Sequence, residues 1–215
     1  MKHTAKKLFA LLLSLIMIFT LALPSFAEGS GDEIVAEISV CSRVREVPSL
    51  GHVWIYVRNI SDRPLQVGAY TLPVGEGVSV GTFGYSRADG MGLYYNIEAY
   101  CINYYDDHDF FSITRQISAD TLNRVSSRIL GLNSWNGFNN CMYFSFKIWK
   151  EATGQNFVNF FFPAFGEMQL RIAGARNRNL SMYYPSADRV YKQIGSGEGA
   201  TLAVASSGSL VEHVG

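Results

Sequence analysis

Two residues in this chain pair a chemistry-bearing side chain with a position that would sharpen it. Cys141 follows Asn139 and Asn140 and opens an apolar stretch, Met142 to Trp149, that Gly154 can terminate as a helix. An asparagine N-cap leaves the thiol in the first helical turn. There, unpaired backbone N–H groups and the helix dipole favour the thiolate, the reactive form of cysteine. The same N–H groups can stabilise an oxyanion on a carbonyl under attack. A small core residue at a helix start is the plainer reading, of equal weight on position alone. His52 opens Gly51-His52-Val53-Trp54-Ile55-Tyr56-Val57-Arg58. Alternation sets Val53, Ile55 and Val57 on one face of a strand, and His52, Trp54, Tyr56 and Arg58 on the other. A lone strand histidine is more often structural. His52 is nevertheless the one histidine in predicted regular structure, because His3 lies in the N-terminal leader, His108 in an acidic loop and His213 in the tail. An imidazole beside an unpaired thiol is what a cysteine nucleophile requires.

The remaining cysteines read differently. Cys101 shares a strand face with Leu93, Tyr95, Ile97 and Ala99 if Gly92–Cys101 is extended, which makes it a core residue. Spacing leaves open whether Cys41 and Cys101 are bridged. With three cysteines, at least one thiol stays unpaired in an exported chain. No Cys-x-x-Cys, His-x-x-x-His or calcium-loop spacing occurs, so neither a metal nor another cofactor is expected.

Two kinds of element must position this pair. Strands are predicted at Ile34–Val40, Gly51–Arg58, Leu65–Leu72, Val78–Phe83, Gly92–Cys101 and Phe110–Ile117, separated by short turn-rich connections that suggest an antiparallel meander. The period then changes. Ser118 can cap a helix carrying Ala119, Leu122, Val125 and Ile129, with Gly131 at its end. The Cys141 helix follows, apolar almost all round and therefore buried. Shorter helices are expected near Gly166–Ala175 and Ser186–Ile194. Strands first and helices after give an α+β architecture. The aromatics Trp54, Tyr56, Trp135, Tyr143 and Trp149 could line a groove but are more often core. Packing in the core is likewise the expectation for Asn156–Phe165, over an exposed lipid- or partner-binding segment.

The ends of the chain bound its compartment. Lys2, Lys6 and Lys7 precede an apolar run from Leu8 to Leu23 and a small-x-small exit at Ser25-Phe26-Ala27, which describes a secretory signal peptide over 1–27. A flexible leader over 28–33, a domain over 34–195 and a Gly/Ser/Ala-rich flexible tail over 196–215 complete the division. The predicted destination is extracellular or the cell envelope, with no stable membrane span after cleavage. Without the three leader lysines, fifteen basic residues face eighteen acidic ones, a net charge of −3. With no basic cluster to neutralise phosphates, nucleic acid is excluded as a partner. Phe and Tyr together supply 26 core-forming residues, which excludes a disordered chain.

Gly51-His52-Val53-Trp54-Ile55-Tyr56-Val57, followed downstream by Asn140-Cys141-Met142-Tyr143-Phe144, resembles the circularly permuted branch of the NlpC-type papain-like cysteine hydrolases. That branch includes the lecithin:retinol acyltransferase-like proteins. Its members carry a strand with the catalytic His first and an Asn-Cys-x-x-Phe helix later, the reverse of papain's order. The run Val78–Gly84 and Tyr95-Asn96-Ile97-Glu98 are similar to segments of exported bacterial members. The resemblance spans roughly residues 35–153. It implies a permuted papain-like fold, with Cys141 as nucleophile and His52 as base. The sequence departs from the pattern at the third position, where papain-like sites hold the His with an Asn, His or acidic side chain. Val78–Phe83 offers only Thr82. The alternatives are Glu98 and, behind it, Asn96, which share a strand face with Tyr94 and Tyr100 if that segment is extended.

The expectation is a secreted thiol hydrolase that cleaves an amide, and less readily an ester, in a cell-wall peptide or other peptide-like substrate. An inactive exported binding module on the same fold is the rival. A His52 turned away from Cys141, or a Cys141 without access to solvent, would favour the rival.

Overall fold

The computed structural model describes residues 33–44, 51–84, 87–159, 162–177 and 180–210. The expected signal peptide and all of the leader except Glu33 lie outside the described residues. The two longest strands organise the rest. β1 (Ile34–Val44) and β2 (Gly51–Asn59) pair antiparallel in continuous register from Ala36↔Asn59 to Val44↔Gly51. β-branched residues crowd both, and β-branched side chains suit a pleated, buried surface. Val53, Ile55 and Val57 are fully buried on one face, and Trp54 and Tyr56 almost so on the other. β2 is therefore an interior strand, and each fully buried aliphatic side chain contributes about 1.5–3 kcal/mol.

β5 (Gly77–Phe83) pairs with the other edge of β2, and β6 (Gly92–Tyr95) pairs with β5. The chain then leaves the meander. β7 (Phe111–Ser118) returns to the free edge of β1, and β8 (Arg176–Asn177) extends that edge. β9 (Tyr191–Ile194) and β10 (Thr201–Val204) extend the opposite edge from β6. Among the described residues this makes one antiparallel sheet of eight strands, ordered β10-β9-β6-β5-β2-β1-β7-β8. A separate hairpin is formed by β3 (Leu65–Val67) and β4 (Tyr70–Leu72).

Helices cover both faces. α1 (Ile97–Tyr104) sends Ala99 and Ile102 against Cys41, Trp54, Tyr56 and Phe110. On the other face lie α2 (Ala119–Leu130), α3 (Cys141–Thr153) and α4 (Pro163–Ile172), which share a core with Val53, Ile55, Val78 and Val80. The Ser118 hydroxyl caps α2 by accepting from the Thr121 N–H at 3.4 Å. Asn140 caps α3, its Oδ1 accepting from the Tyr143 N–H at 3.0 Å, and Gly154 closes that helix at φ 73°. The Ser145 hydroxyl donates to the Val53 carbonyl at 2.9 Å and bolts α3 to β2. Among the described residues no helix is long and apolar enough to cross a membrane.

Five segments differ, wholly or in part, from expectation. The predicted strand Gly92–Cys101 breaks at Asn96, which adopts φ 70° and starts α1. Asparagine tolerates the left-handed region, and tertiary bonds hold it there: the Asn96 N–H donates to Ser79 O at 2.7 Å and Nδ2 to Arg189 O at 2.9 Å. Leu65–Leu72 folds back as the β3–β4 hairpin because Gly68 turns at φ 58°. Ser186–Ile194 is a short 3-10 turn, Ala187–Arg189, followed by a strand rather than a helix. The expected flexible tail is largely structured. β10 pairs with β9, and a short C-terminal α5 (Ser207–Leu210) buries Ser209 and Leu210. Its composition is permissive, but Arg87 Nη1 bonded to Ser209 O and Asp89 N–H bonded to Ser209 Oγ pin it down. In Asn156–Phe165, Phe157 packs on the core against Phe146, whereas Val158, Phe162 and Phe165 are exposed.

Candidate functional site

The site grows from a gap between two strands. The β2–β5 pairing runs from Arg58↔Gly77 to Ile55↔Val80 and stops there. At the start of β2, the N-terminus of α3 takes the place of a strand neighbour. The Val53 N–H is directed at the Cys141 sulfur, as is the N–H of Met142 from the first turn of α3. The sulfur also hydrogen-bonds with the His52 side chain. A helix cap and a strand end thus converge on one atom.

His52 is held from the far side as well. Its Nε2 lies 3.0 Å from Glu98 Oε1. With Nε2 committed to a carboxylate, Nδ1 is the ring nitrogen left for the thiol. The second carboxylate oxygen, Oε2, accepts from the Ser79 hydroxyl at 2.8 Å, and Ser79 Oγ accepts from the Ala99 N–H at 3.2 Å. The Glu98 side chain is only 4% exposed, so this satisfied carboxylate is a fixed anion behind the imidazole. Phe83 stacks on the ring with centroids 4.3 Å apart. Gly81 makes room for the arrangement: a Cβ there would overlap Glu98 Oε1 and lie 2.9 Å from His52 Nε2.

Charge follows geometry. Burial pushes the Cys141 thiol up, but the His52 charge, its hydrogen bond and the two backbone N–H groups outweigh burial, so the thiol lies below its ordinary range. Burial pushes the His52 imidazolium down. The Cys141 thiolate first, then its hydrogen bond and the Glu98 carboxylate, override that and raise the imidazole to about 9. These influences favour the thiolate–imidazolium form of the pair over the neutral one. The other two cysteines share neither feature. Burial, and behind it the Glu98 charge, push the fully buried Cys41 thiol well up. Cys101 sits on α1 rather than a strand and donates to Leu210 O at 3.4 Å. All three cysteines are free, so the open question of a Cys41–Cys101 bridge is answered by two reduced thiols.

The structure sorts the sequence candidates. Cys141, His52 and Glu98 come together. Asn96 does not join them: it is the N-cap residue of α1, with its amide turned to Arg189. Thr82 follows Gly81 on β5, so alternation sets its hydroxyl on the opposite sheet face, buried without a hydrogen-bond partner. His108 is engaged by Asp106 and Tyr184 in its loop. His213 lies outside the described residues. Sequence reasoning missed Ser79, Gly81 and Phe83. A glycine inside a strand pattern was the available signal, since it marks close approach of another group.

Among the described residues no cluster of three His, Cys, Asp or Glu side chains is placed to hold a metal ion. Comparison with protein-family models, with curated proteins and with solved structures returns no match to this chain.

Proposed function

We propose that Cys141, His52 and Glu98 form the catalytic centre of an exported thiol hydrolase on a permuted papain-like fold. The observation that carries this reading is the hydrogen-bonded series from the Cys141 sulfur through the His52 ring to the buried Glu98 carboxylate. The resemblance of the two motifs, and their order along the chain, supports the fold assignment. Cys141 is the nucleophile, His52 the proton carrier, and Glu98 the group that fixes the ring and stabilises its charged form.

In the first half-reaction the thiolate attacks an amide carbonyl carbon and a C–S bond forms. The carbonyl oxygen takes the negative charge beside the N-terminal backbone of α3. The tetrahedral intermediate collapses with C–N cleavage, and the imidazolium gives its proton to the departing amine. A thioester on Cys141 remains. Water then attacks the thioester as neutral His52 accepts its proton, the acid leaves, and the thiolate–imidazolium pair is restored. Amides in peptides, including cell-wall stem peptides, are the proposed substrates, with esters as the lesser class.

Incubation of the purified protein with cell-wall peptide fragments, followed by mass spectrometry, tests this. Cleavage by wild type, an acyl adduct on Cys141 and loss of both in Cys141→Ala are the expected results. Identical product yields from wild type and Cys141→Ala would refute the assignment and leave the binding-module reading in its place.

A further inference from the structure

α4 is apolar on two faces. Its inner face, Pro163, Gly166 and Leu170, is buried, and a Cβ on Gly166 would meet Met142 at 3.2 Å and Val53 at 3.3 Å. Its outer stripe, Phe165, Met168 and Ile172, keeps the three- and four-residue steps of a single helical face and stands in solvent. A helix apolar all round is ordinarily enclosed, and this one is left half in water. The band continues beyond the helix through Phe162, whose ring lies 6.4 Å from that of Phe165, through Val158, and to Phe138, three residues before Cys141. These six side chains are between 43% and 79% exposed, and among the described residues every exposed phenylalanine belongs to them.

The main chain under the band is sealed by side chains. Gln169 reaches back from α4, its Oε1 accepting from the Val158 N–H at 2.8 Å and its Nε2 donating to Val158 O at 2.9 Å. Asn159 Nδ2 donates to Phe138 O at 3.1 Å and ties the two loops together. A loop facing water can leave such groups to the solvent, whereas a loop entering an apolar medium must satisfy them internally. The charge beside the band is basic. From Asn156 to Arg178 three arginines accompany one glutamate, in a chain whose exported form is expected to be acidic. Glu167 is paired with Arg171 at 3.5 Å, and Asp109 at the adjoining sheet edge accepts from Asn177 at 2.6 Å. Arg176 is exposed four residues beyond Ile172.

We infer that this band is a docking surface for an anionic membrane. α4 lies along the bilayer, with Phe162, Phe165, Met168 and Ile172 in the boundary between headgroups and acyl chains and the arginines among the headgroup phosphates. An apolar helix face bordered by basic residues is the composition that interfacial attachment requires, and it anchors without spanning. Docking would hold the Cys141 end of α3 close to the lipid, because Phe138 belongs to the band and Gly166 packs on the chain neighbours of Cys141 and His52. The surface stands on α4 and its loops, whatever chemistry the thiol performs.

The test is co-sedimentation of the chain from Glu28, which keeps every described residue, with vesicles of phosphatidylcholine and phosphatidylglycerol in equal parts, and with phosphatidylcholine alone. Wild type should pellet with the anionic vesicles, and added sodium chloride should release it. Ile172→Ser and Phe165→Ser alter solvent-facing side chains, and each should lower partitioning about five- to tenfold. Arg176→Gln should lower it about fivefold on the anionic vesicles alone. Tyr104→Ser, at an exposed aromatic on α1 across the sheet, should leave it unchanged. Absence of pelleting with anionic vesicles, undiminished pelleting of Ile172→Ser, or an equal loss in Tyr104→Ser would overturn the docking surface. So would a dimer in light scattering that Ile172→Ser splits, in a protein that ignores vesicles, since a second copy would then cover the band. Cys141→Ala should pellet like wild type. Normal pelleting by a protein that cleaves no cell-wall peptide would count against the hydrolase reading and leave this surface standing.

Discussion

Replacing His52 by alanine isolates what the imidazolium does for the thiol. In the native protein, burial acts against the Cys141 thiolate and the charge on His52 is the largest contribution in its favour. Without the ring, burial opposes only two backbone N–H groups. At pH 6 a thiol of ordinary pKa, about 8.5, is ionised in roughly one molecule in 300. That factor is the gain for a thiol of ordinary pKa in the variant and a complete thiolate in the native protein. A stabilised thiolate is also less nucleophilic, by about half of the gain on a logarithmic scale. Alkylation of Cys141 by iodoacetamide at pH 6 should therefore slow between about 20-fold and 300-fold in His52→Ala. Peptide mapping by mass spectrometry reads the rate at each cysteine, with the buried Cys41 and Cys101 as internal references. The wild-type rate should depend less steeply on pH than that of the variant up to about pH 9, where His52 loses its proton. The variant should gain about tenfold per pH unit toward the ordinary thiol range. Matching rates at pH 6 in wild type and His52→Ala would refute an ion pair at this site, and with it the activation of Cys141.

Other expectations bear on neighbouring parts of the structure. Cys141→Ala removes the largest upward influence on His52 while burial continues to press downward, so the imidazole should titrate below about 9, as followed by NMR of the ring. Linkage fixes the stability profile. His52 contributes stability below pH 6.5 that is lost as pH rises toward about 9, and the depressed Cys141 contributes with the opposite sign. Urea midpoints should therefore fall as pH rises through about 9, where the folded protein gives up the proton held by His52. A midpoint that stays level through about pH 9 would contradict this assignment. Gly81→Ala forces a methyl group into Glu98 Oε1, and should cost about 1–3 kcal/mol in urea unfolding and slow Cys141 labelling. Ending the chain at Gly195 removes β10 and uncovers Val190 and Cys101, so the melting temperature should drop and Cys101 should become alkylatable; an unchanged melting temperature would show the C-terminal segment to be dispensable.

Local signals made part of this structure legible. Asn140 and Gly154 bracket α3, and Ser118 brackets the start of α2, because caps are short-range chemistry written in adjacent residues. The alternation in β2 was readable for the same reason. The segment Gly92–Cys101 was not. Tyr94, Tyr95, Ile97, Ala99, Cys101 and Ile102 are all buried, and a segment buried on every side keeps neither a period of two nor one of 3.6. Its break depends on Asn96 bonding to Ser79 and Arg189, which are distant in sequence. The strand face expected to carry Glu98 is replaced by a helix, and Glu98 reaches His52 from its first turn. The C-terminal segment is similar: Gly, Ser and Ala carry no patterning, and its order comes from Arg87 and Asp89 more than a hundred positions earlier.

The order of the site along the chain has a consequence for how it comes into being. His52 and Ser79 lie on the paired strands β2 and β5, and Glu98 on α1, which packs against β5, so the basic half of the site is complete by residue 98. The thiol arrives 43 positions after Glu98, on a helix that must dock across the strands already formed. Until α3 seats and Ser145 engages Val53, Cys141 is an ordinary protonated thiol. A chain that emerges N-terminus first therefore assembles its proton-handling half before its sulfur is ionised. Thiolate chemistry in this protein is a property of the finished fold, and a partly folded chain carries a sulfur that is poorly able to attack, oxidise or cross-link.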